Sequence, residues 1–263
     1  MTIKIAHEAP LSIFDEVQEL TDYDYALVHL FDESEEYYSK FAAALAKGRR
    51  VILDNSIFEL GEAFDADKYA DYICSLLPTE YIVPDVLNDY KGTVNSFKAF
   101  KEKYPDLPGK TIGVVQANNY DHIVDCYRFM QANADKVAFS FDYSFFERED
   151  RGSDTLQAWM FGRIRMINRL LSNGIIDTTK PHHLLGCSLP QEFKAYRDLR
   201  WIDTIDTSNP VTAGMEGIYY SSNGLNDKPK AKLFTKMYDE VHTRNRELIR
   251  FNIKKFREFA CFA

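Results

Sequence analysis

The chain has 263 residues, of which 45% are hydrophobic and 27% charged, and its formal net charge is −8. That size is enough for a sizeable core in one large domain or two small ones. The acidic balance argues against a generic nucleic-acid binder. The four cysteines form no Cys-x-x-Cys pair, and no apolar run approaches the roughly 20 residues that span a bilayer. The stretch MTIKIAHEAP has no signal-peptide layout, so we expect a soluble, cytoplasmic protein with no membrane partner.

Short β-rich runs recur along the chain with helical stretches between them. Eight such runs are predicted strands: 3–7, 25–31, 50–55, 81–85, 111–116, 136–141, 182–188 and 201–206. Most are near-continuous apolar runs, which is typical of strands buried on both faces of a parallel sheet. Eight strand–helix units in about 250 residues predict one α/β domain, 1–263, folded as a (β/α)8 TIM-type barrel. An open doubly wound sheet is the alternative, although no glycine-rich nucleotide-binding loop supports it.

Polar side chains follow several of the predicted strands. Three carboxylates and one carboxamide stand at the ends of separate apolar runs: Asp54, Asp85, Gln116 and Asp206. A single Asp in such a place is typical of a cap, but the carboxyl ends of barrel strands meet at the face that carries the chemistry. The set therefore indicates a site. His7 and His29 are interpreted as structural groups, and no histidine spacing predicts a metal site.

The composition of this set suits a flat heterocycle. A carboxylate accepts two N–H bonds from a guanine-type edge, and an amide N–H donates to the ring carbonyl. A second carboxylate can attack a glycosidic carbon while a third moves protons. The residues alone thus indicate glycosyl transfer or hydrolysis at a nucleoside.

Five segments, in chain order, resemble motifs of the tRNA-guanine transglycosylase superfamily, barrel enzymes that exchange guanine for a 7-deazaguanine. The segments are DNSIFE (54–59), VPDVLND (83–89), GVVQAN (113–118), LLGCSLPQEF (184–193) and WIDTIDTSNP (201–210). The resemblance implies that Asp206 is the nucleophile that holds the sugar covalently and that Asp54 is the acid/base. It also implies a set of base-binding residues: Asp85 for the guanine-like edge, Gln116 for the carbonyl, Phe58, Leu185 and Gly186 for the ring faces, and Asp142 near the 7-substituent.

The sequence departs from the family pattern in three places, one of which is Ala117-Asn118, where the family's Gln-bearing motif has a glycine pair. The family's Gly-Gly pair is Ser56-Ile57 here, and its Cys-x-Cys-x-x-Cys…His zinc site is missing. The chain therefore resembles the compact, zinc-free phage DNA-guanine transglycosylases. This implies a pentosyltransferase of the host cytoplasm, without metal or cofactor, that inserts a 7-cyano-7-deazaguanine-type base into DNA. Action on tRNA, a non-catalytic nucleobase- or nucleic-acid-binding subunit, and an unrelated nucleoside hydrolase stay open, as does the oligomeric state.

Two basic segments are candidates for phosphate contacts. Between Lys228 and Arg257 the chain has ten basic residues against three acidic ones, and a basic helical segment is predicted over about 228–259. The loop after the sixth strand is long for a barrel, as binding loops often are. The predicted nucleic-acid contacts are Arg148, Arg151, Arg163, Arg165, Lys254, Lys255 and Arg257.

Overall fold

The computed structural model describes residues 3–140 and 155–261. Eight strands alternate with helices: β1 (Lys4–Ala6), β2 (Asp24–Leu27), β3 (Val51–Asp54), β4 (Glu80–Ile82), β5 (Lys110–Val115), β6 (Lys136–Phe139), β7 (His182–Leu184) and β8 (Ile202–Asp206). They form a sheet in the order β1-β8-β7-β6-β5-β4-β3-β2. Sequence neighbours that pair in parallel with helices between them define the (β/α)8 TIM-type fold, so the predicted fold class is confirmed.

The α-helices of the described residues follow the strands in turn. They are α1 (Phe14–Gln18), α2 (His29–Glu33), α3 (Glu35–Ala46), α4 (Ile57–Leu60), α5 (Ala66–Leu76), α6 (Tyr90–Lys103), α7 (Tyr120–Asn133), α8 (Thr155–Ser172), α9 (Asn209–Met215) and α10 (Thr243–Ala260). Short 3-10 helices occupy Leu11–Ile13, Pro190–Tyr196 and Leu233–Lys236.

All eight strands overlap the runs that the sequence predicts, but several end earlier: the fourth ends at Ile82 instead of residue 85, and the seventh at Leu184 instead of residue 188. The second strand ends at Leu27, and His29 opens α2 instead of closing a strand. The basic carboxyl-terminal helix begins at Thr243 rather than near residue 228. Pro229 lacks the N–H that a helix interior needs, and the buried apolar face that stabilises α10 begins only at Ile249.

The chain divides into two compact units. The first contains Met1–Asp22, Tyr143–Asn173 and Leu184–Ala263, and the second contains Tyr23–Asp142 and Gly174–His183. In the first unit β1 pairs with β8, with Ala6 opposite Asp206. The prediction that residues 1–263 form one domain stays a prediction.

A buried ion-pair cluster joins the amino ends of strands in the second unit. The Lys136 ammonium, on a side chain that is 1% exposed, lies 2.9 Å from a Glu80 carboxylate oxygen, and the Arg50 Nε donates to the same carboxylate at 2.9 Å. Amino ends of barrel strands serve stability rather than chemistry. This cluster is therefore structural.

Candidate functional site

Four successive strands of the second unit each deliver a polar side chain to one cluster. Asn55 directly follows β3, Asp85 lies in the loop after β4, and Gln116 and Ser140 directly follow β5 and β6. The Asn55 amide donates to Asp85 Oδ1 at 2.7 Å, and the Gln116 amide donates to Asp85 Oδ2 at 2.8 Å. Gln116 also donates to Ser140 Oγ at 3.0 Å. The sequence predicted that Asp85 and Gln116 share a site, and the structure brings them into contact.

The Asp85 carboxyl is deeply buried, with 2% of the residue exposed. Burial raises its pKa, while the hydrogen bonds from Asn55 and Gln116 act in the opposite direction. Each oxygen accepts one amide N–H and keeps capacity for another, because a carboxylate has about four acceptor positions. The side chain is therefore held in place and still able to accept from a ligand.

Backbone groups fix the two amides on either side of Asp85. The Ile57 N–H donates to Asn55 Oδ1 at 3.0 Å, and the Asn88 N–H donates to Gln116 Oε1 at 3.1 Å. Asn88 has a φ of 58°, in the left-handed region. Such backbone is retained where the surroundings enforce it, and it is common at functional sites. The amide orientations are thus set before any ligand arrives.

Ser56 lies where the motif that this segment resembles has a glycine, and it adopts a glycine-like backbone. Its φ is 60° and its ψ 24°, the residue is fully buried, and its hydroxyl accepts the His29 N–H at 3.3 Å. The hydroxyl offsets part of the cost of the left-handed geometry.

Asp54 and Asp85 both lie near one buried phenol. The Tyr69 hydroxyl lies 2.9 Å from the carbonyl oxygens of Leu53, the last but one residue of β3, and of Ile82, which ends the neighbouring strand β4. Burial is the main cause that raises the Tyr69 pKa, and the charges of Asp54 and Asp85 raise it further. Asp54 itself is half-buried at the end of β3. The charges of two carboxylates of the predicted set thus influence the same buried hydroxyl.

Phe58 is exposed over 54% of its surface on the short helix α4. A core role for this ring is therefore excluded. An exposed aromatic ring close in sequence to Asp54 and Asn55 fits the stacking role that the resemblance implies.

Asp206 ends β8 in the first unit, and its residue is 6% exposed. The Gly186 N–H donates to Asp206 Oδ1 at 3.4 Å, and Gly186 has a φ of 56°, which favours glycine. Thr207 is fixed on both sides: its N–H donates to the Ala6 carbonyl at 3.1 Å, and its carbonyl accepts from His7 Nδ1 at 2.8 Å. Leu185 and Gly186, both half-buried, therefore lie in the same unit as the predicted nucleophile, as the motif order suggests.

The prediction that Arg163 contacts nucleic acid is wrong. The residue is fully buried on α8, and its guanidinium donates to Glu192 at 2.5 Å and to the carbonyls of Leu185 and Gly186 at 2.7 and 2.8 Å. Its helical position points it inward, because Arg163 lies between the buried residues Met160 and Met166 at helical spacing. Arg165, two positions further, is exposed and stays a prediction.

The other residues that are predicted to contact phosphate differ in the intramolecular bonds that they make. Arg257 donates to Asp22 at 2.9 Å and to the Leu20 carbonyl at 3.1 Å, and Lys255 pairs with Glu258. Lys254 is exposed on α10. Arg148, Arg151 and the base-binding candidate Asp142 lie outside the described residues.

Sequence reasoning missed three groups that the structure assigns to these clusters. Asn55, beside Asp54, is a residue type typical of turns, and Ser140 lies at the end of the sixth predicted strand. Glu192 stood unremarked in LLGCSLPQEF. A signal existed for Asn55 and Ser140, because each follows an apolar strand directly. No sequence signal indicated Glu192, because its contact with Arg163, 29 residues away, exists only in the folded chain.

Comparison with family models gave no match, and comparison with curated proteins gave none either. In the residues that the structure describes, no helix is long and apolar enough to cross a membrane. Within the same residues, no group of three or more His, Cys, Asp or Glu side chains is placed to hold a metal ion.

Proposed function

We propose that this protein is a nucleic-acid base transglycosylase that exchanges guanine for a 7-deazaguanine. The observation that carries the proposal is the buried Asn55–Asp85–Gln116 network at the ends of three successive strands. Unlike the Glu80 cluster at the amino ends of the strands, its carboxylate forms no ion pair with a cation among residues 3–140 and 155–261. A buried carboxylate that accepts from two neutral amides suits a neutral ligand with adjacent N–H donors, as on the guanine edge.

The chemistry assigned to Asp206 and Asp54 proceeds in two balanced halves. The Asp206 carboxylate attacks C1′, the C1′–N9 bond breaks, and guanine leaves with a proton from Asp54. The incoming base then gives its N9 proton to Asp54 while the new C1′–N9 bond forms and the C1′–oxygen bond to Asp206 breaks.

Supporting features for a nucleic-acid substrate lie in the first unit, on α10. Lys254 is exposed there, and Tyr219 stacks on Phe251 of this helix with ring centroids 4.3 Å apart. Exposed aromatic rings beside cations are common on surfaces that bind single strands. Phage DNA is the preferred substrate because the family's zinc site is absent from the sequence, and the cytoplasm is the expected location.

A base-exchange assay tests this function. Labelled guanine, and separately 7-cyano-7-deazaguanine, is offered with DNA and with tRNA. We expect incorporation into DNA by the wild type and none by Asp206→Asn. Incorporation only into tRNA would show that the substrate is tRNA and not DNA. Binding of the free base without any incorporation would identify a non-catalytic subunit, and neither binding nor incorporation would reject the proposal.

A further inference from the structure

A second buried polar cluster, apart from the Asn55–Asp85–Gln116 network, surrounds Arg163 in the first unit. Arg163 and Glu192 are both fully buried. Glu192 Oε1 accepts from Arg163 Nε at 2.5 Å and from the Tyr196 hydroxyl at 2.7 Å. Burial is the largest single effect on the pKa of Arg163 and acts to lower it, but the charge and hydrogen bond of Glu192, with the Tyr196 hydroxyl beside them, together raise it, so the guanidinium stays charged.

The guanidinium also holds a loop by two of its backbone carbonyls. Nη1 donates to the Leu185 carbonyl at 2.7 Å and Nη2 to the Gly186 carbonyl at 2.8 Å. Two adjacent carbonyls on one planar fork restrain both position and rotation of the peptide. A lysine has one nitrogen and cannot reproduce that geometry.

The restrained loop meets Asp206 directly. Gly186 turns its carbonyl to Arg163 while its own N–H donates to Asp206 Oδ1, and its left-handed φ of 56° accompanies this geometry. The next residue, Cys187, places its Sγ 3.3 Å from Thr207 Oγ1, beside Asp206 in the chain. The chain from Arg163 through Gly186 to Asp206 is therefore continuous in hydrogen bonds.

We propose that Arg163 and Glu192 are positioning residues, which orient Gly186 and through it the Asp206 carboxylate for attack. Glu192 and Tyr196 fix the guanidinium, the guanidinium fixes the Leu185–Gly186 peptide, and the Gly186 N–H selects one orientation of Asp206. This inference rests on the proposed function for its catalytic consequence but not for its structural content.

The test compares Arg163→Met with Lys136→Met. Both remove the cation of a buried ion pair, but Lys136 lies in the structural Glu80 cluster of the second unit. At temperatures where both variants are folded, we expect Arg163→Met to lower kcat for base exchange about 100-fold, the loss typical of a misplaced catalytic group. Free-base affinity should change less than about threefold. Lys136→Met should keep kcat within about threefold, and Arg163→Lys should recover only part of the loss.

A second readout needs no activity. Hydrogen exchange at the Gly186 amide, measured by NMR on the protein alone, should accelerate at least about tenfold in Arg163→Met and in Glu192→Gln but not in Lys136→Met. Failure of the wild type to exchange guanine would reject the proposed function and leave this readout to decide the inference. Unchanged Gly186 exchange, or equal kcat in Arg163→Met and Lys136→Met, would overturn the positioning role.

Discussion

Asp85 is the residue on which base recognition depends in this account. Truncation in Asp85→Ala removes the acceptor for two ligand N–H groups, so free 7-deazaguanine should bind about 2–3 kcal/mol more weakly by calorimetry. The matched control is Asp24→Asn, which changes another buried carboxylate of the second unit, paired with Arg49 at 2.6 Å. Equal affinity in wild type and Asp85→Ala would return Asp85 to a structural role.

The same site should depend on pH in a definite direction. Burial raises the Asp85 pKa above its ordinary value, and only the ionised carboxylate accepts both ligand N–H groups. Base affinity should therefore fall as pH is lowered through the raised pKa. The effect of Asp85 on the free energy of unfolding has the opposite sign. Because the native state binds the Asp85 proton more tightly than the unfolded state does, the contribution of Asp85 to stability falls as pH rises through the raised pKa. If base affinity did not change with pH in the acidic range, the claim that Asp85 binds the base as an ionised carboxylate would be contradicted.

Ser56 gives a prediction about stability at a single backbone position. Ser56→Gly relieves the left-handed geometry and loses one long hydrogen bond, so the free energy of unfolding should change by less than about 1 kcal/mol. Ser56→Val places a β-branched side chain at φ 60° in a buried site and should cost at least about 2 kcal/mol. Urea unfolding measures both, and a Val variant as stable as wild type would show that the turn is not constrained.

At the scale of elements, helix α10 carries the prediction about nucleic acid. Lys254→Gln with Lys255→Gln removes up to two phosphate contacts, so the slope of log K against log salt should flatten by up to about 1.8 on duplex DNA. Arg257 is left intact because it holds Asp22 and the Leu20 carbonyl.

Lys98→Gln with Lys101→Gln on α6 changes the charge equally and serves as control for that experiment. The control should leave the salt slope unchanged. If the α10 variant and the wild type had equal salt slopes, DNA would dock elsewhere. If the α10 and α6 variants flattened the slope equally, the effect would come from net charge and not from phosphate contacts on α10.

The strands were predictable because each is a short, near-continuous apolar run, and burial on both faces demands that composition. The positions of Asp85 and Gln116 followed from the same logic, since parallel strands deliver their carboxyl ends to one edge. The buried position of Arg163 could not be predicted from its charge alone. Its partners, the Leu185 and Gly186 carbonyls, lie more than 20 residues away, and only folding shows that an arginine on an amphipathic helix faces inward.

At the scale of the whole molecule, buried histidines predict sensitivity to acid. Burial lowers the pKa of His7 and of His182 from 6.5 to about 4. The unfolded chain therefore takes up protons below pH 6.5 that the native state refuses, and stability is lost as pH falls from 6.5 toward 4. Each histidine contributes up to about 1.4 kcal/mol per pH unit. Urea unfolding between pH 6.5 and 5, where carboxylates of ordinary pKa titrate little, should show this slope in the wild type and in Asp85→Ala, and a flat profile in both would contradict neutral burial.

The covalent intermediate on Asp206 is the central claim, and intact-protein mass spectrometry tests it most directly. Wild-type protein is mixed with a guanine-containing oligonucleotide, without free base, and quenched by denaturation. The account predicts a species with the mass of protein plus oligonucleotide minus guanine, mapped by peptide analysis to Asp206 and absent from a folded Asp206→Asn variant. An adduct that persists in Asp206→Asn or maps to another residue, or base exchange by the wild type with no adduct at all, would contradict it.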